Sequence, residues 1–287
     1  MGAVERTESI QAEPAVAFAR LLGVTVPDFD GGAALPLTWH WLYLLERPYQ
    51  SDLGDDGHPT TGAVPEPPGR GLRRMWAGGS LHLRGHLHVG HEATRRSTVV
   101  GSERKAGRSG PFTIVTVRHE IIQRGEIVVD ERQELVYRAR ALVEASDSVA
   151  SATTRVLPSE AQDWEIPISP TLLFRYSALT YNAHRIHYDR DYARQVEGYP
   201  GLVVHGPLQA MAMAEYLRRN RIATGPGTVF TYRLVSPLFE DQGMRVTASQ
   251  EAGEVTTQVC DASGRLTARG TVTRDTHGTP TCSSTPT

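Results

Sequence analysis

The chain has 287 residues, 39% hydrophobic and 22% charged, which is apolar enough for one large folded domain or two ordinary ones and excludes wholesale disorder. With 30 Lys+Arg against 32 Asp+Glu the formal charge is −2, so no global positive field exists to gather DNA or RNA, and nucleic acid is not an expected partner. Cys260 and Cys282 stand in unlike contexts, which supports neither a disulfide framework nor a cysteine zinc site and points to a reducing cytoplasm. No stretch nears the ~20 apolar residues of a membrane-spanning helix, and the N-terminal segment lacks the basic start and apolar core of an export signal.

In chain order, Glu13 to Gly23 predicts a short amphipathic helix closed by glycine. Thr38 to Glu46 is a second apolar piece, and Arg47 to Gly71, rich in Pro, Gly and Asp, predicts a long irregular loop of the kind that carries function or moves. Leu81, Leu83, Leu87 and Val89 alternate with His82, Arg84, His86 and His88, while Thr113 to Arg118 and Glu126 to Ala141 are rich in β-branched residues; these predict long antiparallel strands. Ala145 to Ala161 reads as a Ser/Thr/Ala-rich linker, which sets a boundary between an N-terminal domain, 1–150, and a C-terminal domain, 151–287.

The second half opens with Ser169-Pro170, a capping residue followed by proline at the first helical position, and Thr171 to Tyr181 continues that helix. A polar loop, Asn182 to Asp189, leads into a capped turn ending at Gly198. A further helix starts at Gly206-Pro207, its small residues Ala210, Ala212 and Ala214 suited to close packing. Strand patterns return at Thr228 to Val235, Met244 to Gln250, Val255 to Asp261 and Leu266 to Thr273, before a Thr276 to Thr287 tail that reads as disordered. Each half is thus helices followed by about four strands, an α+β order in which an antiparallel sheet covers an apolar helix, and the element order suggests a duplication.

The densest polar constellation is Tyr181-Asn182-Ala183-His184-Arg185-Ile186-His187-Tyr188-Asp189, followed by His205-Gly206-Pro207. These segments resemble the hydratase-2 motif of the MaoC-like hot-dog family, Gly-Asp-x-Asn-Pro-x-His-x-Asp and a later His-Gly. Within that family the chain resembles the mesaconyl-C4-CoA (3-methylfumaryl-CoA) hydratases. That similarity extends to Leu37 to Tyr43, Arg73-Arg74-Met75-Trp76-Ala77-Gly78-Gly79 and Arg95-Arg96-Ser97 in the first half, and to Phe174 to Asn182 in the second. The resemblance implies a double hot-dog fold, two antiparallel sheets each wrapped around a central helix. It also implies hydration or dehydration of an enoyl-CoA/3-hydroxyacyl-CoA thioester, with the acid–base site in the second half and the acyl pocket shaped by the first.

Such hydration needs a base for water as it attacks the β-carbon, a proton for the α-carbon, and support for negative charge on the thioester oxygen. Histidine suits the proton transfer, and His187 is the expected base. Gly206, at a helix start with unpaired N–H groups, is the expected oxyanion donor, although a helix start before Pro207 would also explain a glycine there. Asn182 stands where the broad motif has aspartate. An amide orients groups but takes no proton, so the second proton-transfer group is His184, Asp189 or water, with His184 preferred.

A dicarboxylate-derived acyl group would need a guanidinium, for which Arg185 and Arg175 are the candidates; either residue also admits a structural role. His205, Tyr181 and Trp76 complete the candidate substrate-binding set. CoA phosphates would meet Arg218, Arg219 and Arg221, or Arg104 to Arg108. His82, His86, His88 and His91 are spread too far along a strand to share one ion, so no metal is expected, and no cofactor, because the CoA thioester is itself the substrate. Open sheet edges make a homodimer the expected assembly. The rival readings are a hot-dog thioesterase and a non-catalytic acyl-CoA binding protein.

Overall fold

The computed structural model describes residues 2–64, 72–107, 110–139, 163–251 and 254–275. The expected linker, the 150/151 boundary, the C-terminal tail and Cys282 lie outside the described residues. The first half runs β1 (Val4–Ser9), α1 (Ala12–Leu22), β2 (Leu72–Leu83), β3 (Glu92–Gly107), β4 (Gly110–Gln123) and β5 (Glu126–Ala139). The second runs β6 (Trp164–Ile166), α2 (Pro170–Leu179), α3 (Gly206–Arg219), β7 (Thr228–Leu234), β8 (Met244–Glu251), β9 (Glu254–Cys260) and β10 (Leu266–Arg274).

Among the described residues the strands form one sheet in the order β1-β3-β4-β5-β2-β7-β10-β9-β8-β6. Read from its outer edge, the first half is ordered first, third, fourth, fifth, second; the second half has the same order from the opposite edge. The duplication expected from element order is therefore present as topology. The two sheets are continuous through one antiparallel seam, β2 against β7, from Gly78↔Arg233 to His82↔Val229. Glycine at 78 and 79 is what lets that seam close: a Cβ at Gly78 would lie 2.5 Å from the Tyr232 carbonyl oxygen, and one at Gly79 would lie 2.3 Å from the Arg132 carbonyl oxygen.

The apolar sheet face needs a helix against it, and α3 meets that need in the second half: every residue from Leu208 to Leu217 is buried. The alanines at 210, 212 and 214 allow that close approach. In the first half α1 buries Ala15, Phe18, Ala19 and Leu22, and Gly23 ends it in a left-handed conformation with φ 64°, as a glycine after the last periodic residue predicts. Phe18 meets Trp39 edge-on at 5.2 Å and Tyr176 at 6.4 Å, which ties α1 to α2 across the halves.

Four elements depart from the expected pattern. The strand expected to reach Val89 ends at Leu83, because the Arg84 and Gly85 N–H groups both turn onto the Val128 carbonyl. His86, His88 and His91 consequently lie in a loop and not on a strand face. β3 is long but carries the polar run from Gly101 to Lys105, which hides a strand from apolar counting; β1 and β6 are short, and β6 sits at a sheet edge with a single strand neighbour. No described helix is long and apolar enough to cross a membrane.

Candidate active site

The loop of residues 182–189 is prepared by the end of α2. Ser169 caps that helix, its hydroxyl accepting from the Leu172 N–H at 3.2 Å. The chain then turns through Tyr181 at φ 52°, and the Asn182 N–H donates to the Ser177 carbonyl at 2.8 Å. The Asn182 Oδ1 accepts from the His184 N–H at 3.0 Å, so this side chain shapes the loop. Asp189 closes it: one carboxylate oxygen accepts from the Tyr192 N–H at 3.0 Å, the other from Arg185 Nη2 at 2.7 Å and Nε at 3.1 Å.

His187 is buried at 7% exposure, and its Nδ1 stands 2.7 Å from the Val203 carbonyl oxygen. A carbonyl only accepts, so Nδ1 carries the proton and Nε2 presents its lone pair. Burial pushes the His187 pKa down to about 4, against the Val203 hydrogen bond, which leaves the imidazole neutral near pH 7. Behind it lies the His205 ring, stacked at 3.7 Å with an interplanar angle of 18°. His205 is fully buried and holds the Ser177 hydroxyl with Nε2 at 2.8 Å. Burial, reinforced by His187, drives its pKa well below the ordinary value.

Gly206 begins α3 beside this pair. A Cβ there would lie 2.1 Å from Leu234 Cδ1 and 3.1 Å from Trp76 Cε3, so packing demands glycine independently of any helix-start preference. As the first residue of an α-helix its N–H lacks an intrahelical partner and lies at the positive end of the helix dipole.

The first half supplies the rest of the site. The Arg185 N–H donates to the Asp56 carbonyl at 2.9 Å and Arg185 Nη1 to the Asp55 carbonyl at 3.1 Å. Gly57, at φ 86°, passes so close to Ala183 that a Cβ would sit 1.9 Å from the Ala183 carbonyl oxygen. The docked loop carries an acid–imidazole pair: His58 Nδ1 lies 2.9 Å from Asp56 Oδ2, and the His58 N–H donates to Asp56 Oδ1 at 2.9 Å. Burial would raise the Asp56 pKa, but the hydrogen bonds and charge of His58, with Arg74 beyond, bring it down to about 2. The His58 and His184 rings are 4.0 Å apart, and His184 meets His187 edge-on at 5.5 Å. Burial, then the neighbouring His58 and His187 and the Arg74 charge, hold His184 well below its ordinary pKa.

One cleft of about 2260 Å³ joins these groups, with Arg74, Trp76 and Arg95 from the first half facing it beside His58, His184 and His187. Asn182, Tyr181 and Gly206 also line it, as the sequence predicts; Tyr181 is 54% exposed. Three candidates do not. Arg175 is exposed on α2 and lies outside the lining. Arg185 is tied to Asp189 and the Asp55 carbonyl and covers the Tyr192 ring at 4.1 Å, also outside it. His205 backs the His187 ring and has no exposed surface for a substrate. Arg218 is likewise engaged, with Glu215 and the Thr25 carbonyl.

Asp56, His58 and Arg74 are the residues the sequence did not single out as site groups. The signal for the first two was the length of the Arg47 to Gly71 loop; for Arg74 it was only its place in a matching segment. Asp56, His58 and His184 bring one ligating atom each within 4.8 Å of one another, a donor set that the sequence spacing does not reveal.

A continuous double sheet over two helices, with a neutral buried histidine beside a glycine helix start in a large cleft, defines a hot-dog acyl-thioester hydratase/dehydratase site. The family model described as hydroxyacyl-thioester dehydratase type 2 matches residues 38–240, and the chain belongs to that family. It is 37% identical over 278 residues to the mesaconyl-C4-CoA hydratase of Chloroflexus aurantiacus, spanning 95% of this chain and 96% of that protein. It is 28% identical to the mitochondrial hydroxyacyl-thioester dehydratase type 2 of Schizosaccharomyces pombe, over 74% of this chain and 77% of that one. Among solved structures, a MaoC-like dehydratase from Phytophthora capsici superposes with TM-score 0.65 at 16% identity, over 95% of this chain and 94% of that one. A double-hotdog protein from Mycobacterium tuberculosis superposes with TM-score 0.58 at 14% identity, over 95% of each chain. These likenesses establish the fold as the double hot-dog expected.

Proposed function

We propose that the chain reversibly hydrates a short enoyl-CoA ester whose acyl group carries a second carboxylate, the substrate named for the Chloroflexus relative, mesaconyl-C4-CoA, being the first candidate. The observation that carries this reading is the neutral His187, its Nδ1 fixed by Val203 and its ring facing the cleft beside the start of α3. Nε2 takes a proton from water as the oxygen attacks the β-carbon. The thioester oxygen gains charge against the Gly206 N–H, and a proton reaches the α-carbon. His184 and Asn182 hold the shape of the loop around that exchange. Arg74 takes the role of carboxylate reader in place of Arg185 and Arg175: it lines the cleft, hydrogen-bonds Tyr137, and its charge reaches Asp56, His58 and His184. A homodimer and a cytoplasmic location belong to the same proposal; light scattering and cell fractionation read them directly.

The test is a panel of mesaconyl-C4-CoA, fumaryl-CoA and crotonyl-CoA, followed by absorbance of the conjugated thioester. Turnover that falls by about 10²- to 10⁴-fold in His187→Ala places the base. Arg74→Met is expected to lower kcat/KM on mesaconyl-C4-CoA by about 10- to 100-fold more than on crotonyl-CoA, the worth of one hydrogen-bonded charge. Equal losses on both esters refute the carboxylate role, and release of free thiol in place of hydration establishes a thioesterase.

A further inference from the structure

Asn182 cannot carry a proton, Asp189 is consumed by Arg185 and the Tyr192 N–H, and the His184 ring lies packed between those of His58 and His187, with no hydrogen-bonding carboxylate among the described residues to support an imidazolium. Apart from water, the cleft offers one further imidazole beside this loop, His58, and that ring does have a carboxylate behind it. We propose that the Asp56–His58 pair, supplied by the first half, is that second acid–base group. The inference rests on the hydration reading above.

The geometry repeats the logic of His187. Each imidazole donates Nδ1–H to an oxygen behind it, the Val203 carbonyl for His187 and the Asp56 carboxylate for His58, so in each ring Nε2 is left for chemistry. The partners differ in what they stabilise. A carbonyl orients a neutral base, whereas a carboxylate supports an imidazolium, the state a proton donor must reach. His58 is partly open to the cleft, with 21% of its side chain exposed, and its ring lies 4.0 Å from His184, which in turn touches His187.

The step balances. His187 Nε2 removes one proton from water while the oxygen bonds to the β-carbon. The π pair moves toward the thioester oxygen beside the Gly206 N–H. As that enolate collapses, protonated His58 Nε2 gives its proton to the α-carbon. His187 ends protonated and His58 neutral, and exchange with solvent resets both.

Burial holds the His58 pKa below its ordinary value, and the Arg74 charge on β2 adds to that, while the Asp56 hydrogen bond and carboxylate charge on its own loop favour the proton; His184, with His187 behind it, faces the ring from the 182–189 loop. A substrate carboxylate seated on Arg74 would neutralise the opposing guanidinium charge. Binding a carboxylate-bearing acyl group then arms the acid.

The experiment compares the full-length wild type, His58→Gln and Asp56→Asn on mesaconyl-C4-CoA, with kcat, KM and pH profiles. Both variants are expected to lower kcat by about 100-fold with KM within about threefold. Asp56→Asn should also move the alkaline limb of the profile to lower pH by about one unit, since the imidazolium loses its carboxylate. A merely structural pair would not move that limb. Either variant within twofold of wild type overturns the proposal, as does a kcat loss with the limb unmoved, or a wild-type activity abolished by chelation and restored by Zn²⁺, which would make Asp56, His58 and His184 a metal site. If the wild type hydrates none of the esters, the hydration reading itself fails.

Discussion

His187 acquires its tautomer, its neutrality and its orientation from its surroundings behind the ring. The Val203 carbonyl selects the tautomer, the stacked His205 fixes the plane, and burial keeps the imidazole neutral. Gly206 is the companion constraint, because the chain must pass between Leu234 and Trp76 with no room for a Cβ. Gly206→Ala should therefore cost activity by moving the helix start away from the thioester oxygen: a fall in kcat of about 10²- to 10³-fold, the worth of one oxyanion donor, with the fold retained by circular dichroism. Wild-type kcat in that variant would remove the N–H from the mechanism. At this scale the placement of His187 and Gly206 on one cleft was legible because the motif spacing survives in one stretch of chain. Arg185 and Arg175 lie outside the cleft lining because a guanidinium near the motif is not thereby a guanidinium in the cleft: Asp189, four residues on, claims the first, and the outward face of α2 exposes the second.

Elements bring together what the sequence keeps apart. The described part of the long first-half loop, around residues 55–58, docks on the 182–189 loop through Gly57, whose φ of 86° and approach to Ala183 no other residue reproduces without strain. Gly57→Ala should push the Asp56–His58 segment off Ala183, lowering kcat by tenfold or more while leaving the melting temperature within a few degrees, since a loop shifts and no helix or strand does. Unchanged kinetics in that variant would mean that the docking has no part in catalysis. The sequence pattern marked this segment as a loop by its Pro, Gly and Asp content but gave no register against Ala183, because loop contacts have no period. α1, α3 and the four C-terminal strands were read to within one or two residues, since periodicity and capping chemistry are local. β1, β3 and β6 escaped for the complementary reason: their pairing partners, and not their own apolar count, make them strands.

Over the whole molecule, the mirrored strand order and the single β2–β7 seam make one sheet of two halves, so the active site forms only when both are folded. That unity couples the site to acid stability. Burial lowers His187 and His119 to about 4 from an ordinary 6.5, so between those values the unfolded chain binds protons that the folded chain refuses. Stability should fall as pH drops from about 6.5 toward 4, by on the order of 3 kcal/mol for each histidine. Below about 4.5 the carboxylates take over. Asp56 and Glu131 are brought down to about 2 by hydrogen bonds that outweigh burial, from His58 and from His40, so their contribution is lost as pH falls further through the folded values. Urea midpoints at pH 8, 6.5, 5 and 4 should decline steadily below 6.5 in one transition reported alike by both halves. A midpoint constant from 6.5 to 4 would show that these histidines are not held neutral, and with that the case for His187 as a base ready at neutral pH would fall.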